Sequence, residues 1–242
     1  DARAYPIRVL IWHEIVNDTI GGTPIAVTFC PLCNSSVVFN RRVGDKLLDF
    51  GTTGLLRKSN LVMYDRQTES WWQQFTGKSV VGTMLGTTLA IIPSRVESFE
   101  MFKQRFPQGK ILIPNNVSMR RYGTNPYESY DTMPRPFLFS GELPKDINPM
   151  ARVIVFKADG KKQAVAMKLL NQRKKLKISN VTLSWSAGQN SALDTRRIAE
   201  GRDVGNVVVQ KATASGQQDI AYDVTFAFVI KAFSPDVKIQ QN

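Results

Sequence analysis

Val27-Thr-Phe-Cys-Pro-Leu-Cys-Asn-Ser-Ser-Val-Val-Phe-Asn40 reads as a strand, a tight turn and a second strand. Its flanks are β-branched or aromatic, the side chains that fit a pleated, half-buried surface. Pro31 and Asn34 between them favour chain reversal. A second stretch, Val181-Thr-Leu-Ser-Trp-Ser-Ala-Gly-Gln-Asn-Ser-Ala-Leu-Asp194, lies on the first without a gap. In the same register Asp49-Phe50-Gly51 lies on Asp203-Val204-Gly205. Upstream, Ala4–Leu10 lies on Ala164–Leu170 after a six-residue deletion at Gly21-Gly22, and Tyr64-Asp65 falls near Tyr222-Asp223. The preserved order of blocks predicts a duplication. The expected fold is α+β and β-dominated, with two pseudo-repeated β-rich halves and few short helices. Residues 1–113 form the first unit and 150–242 the second. Residues 114–149, rich in Pro, Asn, Gly and Tyr, form a long connecting segment.

Short strands are expected at 25–29, 37–40, 46–50, 61–64, 79–82 and 87–92. More follow at 153–157, 163–167, 180–185, 207–210 and 221–230. Helices are expected at 6–15, with Pro6 at its first position, and at 95–106. There Ser94 and Glu97 make a capping box, and Pro107 stops the helix.

Composition narrows the class. The chain has 242 residues, 43% hydrophobic and 10% aromatic, with two cysteines. That excludes a disordered chain, a coiled coil and a disulfide-dense scaffold. The longest apolar runs fall far short of the roughly 18 residues that a spanning helix needs. The net charge is +12. Its densest cluster, Arg173, Lys174, Lys175 and Lys177, suits an acidic partner or an anionic surface. No aromatic-interleaved RNA-binding signature or zinc-finger spacing accompanies it, so nucleic acid is not the expected partner. The chain starts at Asp1 with no apolar signal segment, which reads as a processed chain or a fragment.

The chemistry centres on Cys30-Pro-Leu-Cys33. Two thiols at this spacing can act as a metal pair, a redox dithiol or a short disulfide. The residues after Cys33 are poor helix formers, so the helix N-terminus that activates a thioredoxin-type thiol is missing. Strand, Cys-Pro-x-Cys, strand looks instead like the metal knuckle of rubredoxins and zinc ribbons. His13 is the single histidine and the candidate third ligand; Met63 is a soft extra donor for copper. In the second copy Ser184, Ala187 and Arg173 stand where Cys30, Cys33 and His13 stand in the first. A donor set lost together is what a site in one copy would leave. Thiolate donors favour copper as Cu(I), or zinc with further ligands. Tyr64, Asp65, Glu14 and Asp18 are candidates for the groups that orient those ligands. No nucleophile elbow, Walker loop or dinucleotide fingerprint is present.

At these residues the chain resembles a family of bacterial and archaeal proteins of unknown function, DUF3179. The likeness is carried by Ala2–Asp18 with His13-Glu14, Gly21-Gly22, Thr28–Ser35, Phe50-Gly51, Gly54-Leu55 and Asn60-Leu61. It continues through Tyr64–Thr68, Asn125–Tyr127, Ser191–Asp194 and Gly201–Gly205. The resemblance implies an extracytoplasmic protein marked by His13, Cys30 and Cys33; it implies no activity. The expected function is metal handling or electron transfer by a copper or zinc protein. The alternatives are a thiol–disulfide oxidoreductase attacking through Cys30, and a binding or assembly subunit with a Cys30–Cys33 disulfide.

Overall fold

The structure is a computed structural model that describes residues 1–242. Strand makes up 40% of it and helix 15%, so the chain is β-dominated with four short helices, as expected. Four four-stranded sheets carry the fold. Sheet one hydrogen-bonds Ile15–Ile20, Thr23–Cys30, Ser35–Asn40 and Ile91–Ile92 in that order. Sheet two, Phe50–Arg57, Asn60–Asp65, Trp71–Gln73 and Lys78–Val81, is inserted before the last of those strands. Sheet three pairs Tyr222–Phe226, Arg152–Ala158, Lys161–Ala166 and, in parallel, Ile239–Gln240. Sheet four runs Lys175–Ile178, Val181–Ser186, Asn206–Thr213 and Gly216–Asp219. The sheets are arranged like the blades of a four-bladed propeller.

Sheets one and four are entered in the same way. Helix α1, Ile7–His13, ends at Glu14 with φ 60° and ψ −33°. Helix α3, Met167–Arg173, ends at Lys174 with φ 61° and ψ −29°. Phe29 N then donates to Glu14 O at 2.8 Å, and Trp185 N to Lys174 O at 2.9 Å. Ile15 faces Thr28, and Lys175 faces Ser184. Those pairs span thirteen and nine positions, so the Gly21-Gly22 hairpin is longer by four residues rather than six. Cys30, which faces Ser35, therefore matches Ser186, which faces Asn206, and not Ser184. A slip of two leaves every side chain on its own face, which is why the sequence pattern cannot detect it. In sheet four the short cysteine turn is replaced by residues 187–205.

Helix α2 covers Phe99–Arg105, shorter than the expected 95–106. Ser98, not Ser94, caps it, accepting from Met101 N at 3.4 Å. Arg95 is held at 2.6 Å by both Asp219 oxygens, and Ser98 N donates to Asn206 Oδ1 at 2.6 Å. These bonds pull 95–98 onto sheet four and out of helical geometry. The expected strand 221–230 is not one strand. It is strand to Phe226 and then helix α4, Ala227–Phe233, whose first N–H groups donate to Ala151 O and Pro149 O. Phe226-Ala-Phe-Val-Ile230 is apolar throughout and carries no period that separates strand from helix.

The main core joins both ends of the chain: Leu10, Phe39 and Trp72 pack with Val153, Phe226, Phe228 and Ile230. A smaller core, including Ile154, Leu170, Leu183 and Val209, lies between sheets three and four under α3. Residues 114–149 hold little regular structure beyond one 3₁₀ turn at Tyr130–Thr132. Tyr130 and Asp131 within it are buried.

Candidate functional site

The central strand Thr23–Cys30 carries Cys30 to its buried end. Pro31–Cys33 makes one 3₁₀ turn, and Asn34 at φ 51° reverses the chain into Ser35–Asn40. Asn tolerates this left-handed conformation better than most residues. The turn sets the two sulfurs side by side. Both are free thiols, 1% and 0% exposed.

Three distant parts of the chain clamp this turn. The first is the hairpin tip Arg57–Leu61 in sheet two. Lys58 (φ 55°) and Ser59 (φ 60°) form a two-residue turn with both centres left-handed. That conformation matches strand twist but is costly for non-glycine residues. It is held by Lys58 Nζ on Ala232 O and Ser59 Oγ on Phe137 O, both at 2.6 Å. The tip meets both sulfurs. Leu61 N donates to Cys30 Sγ at 3.4 Å, and Asn60 Nδ2 donates to Cys33 Sγ at 3.4 Å. Cys33 S–H donates to Ser59 O at 3.3 Å.

The second clamp is the strand Tyr222–Phe226. Asn34 Nδ2 donates to Val224 O, and Thr225 Oγ1 donates to Cys33 O, both at 2.8 Å. Asp223 accepts from Ser35 Oγ at 2.6 Å and from Ser36 N at 2.9 Å. The third clamp is Tyr130, whose hydroxyl donates to Leu32 O at 2.9 Å and accepts from Phe137 N at 3.4 Å.

Burial dominates the electrostatics. It pushes the Cys33 thiol well above its ordinary value, and the Cys30 sulfur beside it adds to the rise. Asn60 acts in the opposite sense, because its N–H favours the thiolate. Burial raises the Asp223 carboxyl to about 6, against the bonds from Ser35 and Ser36. It raises Tyr127 to about 12, helped by the charges of Glu14 and Cys30 nearby. Glu14 and Tyr130 are also raised by burial.

The other candidates are held elsewhere. His13 Nε2 lies 2.7 Å from Tyr122 Oη, and the rings stack. Met63 is fully buried, facing Thr52 and Trp72 across sheet two. Asp65 braces a turn, accepting from Thr68 N at 2.6 Å and Trp72 Nε1 at 2.8 Å. Tyr64 lies against Gly51 and beneath the Arg66 guanidinium. Asp18 accepts from Arg3 and Tyr5; burial pushes its carboxyl up, but these bonds and Thr19 N–H carry it below its ordinary value. Glu14 joins sheet one through its carbonyl, one residue from Cys30 in the pairing. The structure thus brings Cys30 and Cys33 together. No group of three His, Cys, Asp or Glu side chains gathers in metal-holding geometry.

Asn60, Tyr130, Asp223 and Thr225 were not expected at the turn. Asn60-Leu61 is among the residues that carry the family resemblance, but no spacing rule ties Asn60 to a cysteine 27 positions earlier.

No helix is long and apolar enough to cross a membrane. No curated protein and no solved structure matches the chain. The family model described as protein of unknown function (DUF3179) matches residues 1–237, and the chain belongs to that family.

Proposed function

We propose that the protein is an extracytoplasmic metal-handling protein that holds copper as Cu(I) on Cys30 and Cys33. The observation that carries this reading is the pair of reduced, buried sulfurs on one tight turn, each facing an N–H donor from the hairpin tip. These hydrogen bonds favour the thiolate, the form that binds metal, and at Cys33 the Asn60 N–H offsets part of the rise that burial imposes. Copper is favoured over zinc by the donor count. Cu(I) accepts two thiolates, whereas structural zinc takes four ligands. Thiol exchange with a protein disulfide is the weaker reading, because such exchange needs an accessible sulfur and both are covered. His13, the only imidazole, is a separate variable. The basic segment from the end of α3 into the edge strand of sheet four, where Arg173, Lys174, Lys175 and Lys177 are exposed, is the surface we assign to an acidic partner or anionic surface.

The test is an anaerobic Cu(I) titration against a competing chelator, with Zn(II) in parallel. One tightly bound Cu(I) per chain, lost in Cys30→Ser and Cys33→Ser, supports the site. Retention in His13→Ala assigns it to the sulfurs alone. Wild-type affinity in both cysteine variants overturns it.

A further inference from the structure

Behind Cys33 lies a polar network of which the copper reading uses only the Asn60 N–H. Thr28, Asn60, Gln73 and Gln74 are all 0% exposed, and their bonds can be counted completely. Asn60 Oδ1 accepts from Phe75 N at 3.0 Å. A main-chain N–H can only donate, so the Asn60 oxygen faces it and cannot be exchanged with the nitrogen. Asn60 Nδ2 then points the other way, to Gln74 Oε1 at 2.8 Å and Cys33 Sγ at 3.4 Å. Gln74 is fixed by the same logic. Its Nε2 faces Ser35 O at 3.4 Å, a pure acceptor, and Thr28 Oγ1 at 3.0 Å. The Thr28 hydroxyl proton is committed to Val37 O at 2.7 Å, so its oxygen is free to accept.

The Gln73 side chain continues the chain of bonds outward. Its Nε2 faces Leu61 O at 3.4 Å and also donates to Asn60 Oδ1. Its Oε1 is thereby left to accept from Arg57 Nη1 at 3.2 Å. Arg57, which opens the hairpin tip, is exposed. A cation is thus linked to a buried sulfur through two amides, each oriented by main-chain groups. A bond to the oxygen of an amide polarises it and strengthens its N–H as a donor.

We propose that Asn60 is a positioning residue for Cys33, and that Arg57 sets the strength of its N–H···S bond through Gln73. The inference rests on the Cu(I) reading for its role and on the hydrogen bonds alone for its existence. A network that only filled space would affect stability and leave the sulfur unchanged.

The test uses Arg57→Gln, which retains a hydrogen-bond donor but removes the charge, and Arg57→Lys, which keeps it. Loss of an outer partner of a metal ligand typically costs ~10-fold or more in affinity. Arg57 acts through two amides, so Arg57→Gln is expected to weaken Cu(I) binding about 3- to 10-fold. Its thiolate-to-copper charge-transfer band should move to longer wavelength. Arg57→Lys should restore both. Asn60→Ser, which shortens the donor, should show the larger loss. If it does not fold, the Arg57 pair decides.

A second measurement needs no metal. Metal-free protein is equilibrated with oxidised and reduced dithiothreitol. The two thiols lose two electrons and two protons to the oxidant and close the Cys30–Cys33 disulfide. Removing charge from the relay disfavours the thiols, so Arg57→Gln should shift this equilibrium about 3- to 10-fold toward the disulfide. A shift in a protein that does not bind Cu(I) keeps the relay and removes the copper reading. Unchanged equilibrium, affinity and band in Arg57→Gln overturn the relay.

Discussion

The Thr225 hydroxyl donates to the Cys33 carbonyl at 2.8 Å, across 192 positions of chain. Both groups are buried, and this bond supplies the carbonyl with a partner that no neighbouring residue of the turn provides. Thr225→Val keeps the shape and removes the donor. It should destabilise the protein by about 1–3 kcal/mol, the cost of a buried polar group left unpaired. Urea denaturation checks this; a change within a few tenths of a kcal/mol would show that the carbonyl finds another donor.

Asp223 gives the same contact a pH dependence. Its carboxyl is raised to about 6 from an ordinary 3.8. The folded protein therefore holds this proton more tightly than the unfolded chain. Its contribution is fully present below about 3.8 and is lost as pH rises to about 6. Asp223→Asn should remove that decline. Urea midpoints compared across this pH range for both proteins decide it, and parallel curves would count against the assignment.

Tyr130 joins the cysteine turn to residues 133–140, where Met133, Phe137 and Leu138 are exposed. Tyr130→Phe removes both bonds and leaves the ring packed on Phe226. The expected loss is about 1 kcal/mol, which corresponds to roughly fivefold more local opening. Alkylation of Cys30 and Cys33 by iodoacetamide should speed up by a similar factor. An unchanged rate would mean that reagent reaches the sulfurs by another path.

Gly205 ends the segment that replaces the cysteine turn in sheet four. It has φ +80°, and a Cβ there would lie 2.0 Å from Trp185 Nε1. Gly205→Ala should cost more than about 2 kcal/mol through strain and displacement of the indole. Trp185 fluorescence should shift at the same time, since Lys174 Nζ sits 3.7 Å over that ring. A thermal midpoint equal to wild type would refute the clash.

What sequence reveals here depends on how local the cause is. Strands such as Thr23–Cys30 and Arg152–Ala158 follow from their own β-branched residues. The cysteine turn follows from Pro31 and Asn34. The start of α2 does not, because Asp219 and Asn206 decide where helix can begin. The same holds for the site. Cys30 and Cys33 are visible as a spacing. Asn60, Tyr130 and Thr225 reach them only through folding, and the direction of the His13 ring depends on Tyr122.

The nesting of sheet two inside sheet one has a consequence for biosynthesis. The cysteines emerge early, but Ile91–Ile92 closes their sheet only after an excursion of fifty residues, 41–90. Asp223 and Thr225 arrive last. Until then the cysteine turn lacks the cover of Tyr222–Phe226. Contacts this far apart in sequence form slowly. The oriented donors and the burial of the two sulfurs exist only once the chain is nearly complete, so under the copper reading proposed above loading follows translation and any selectivity belongs to the finished fold.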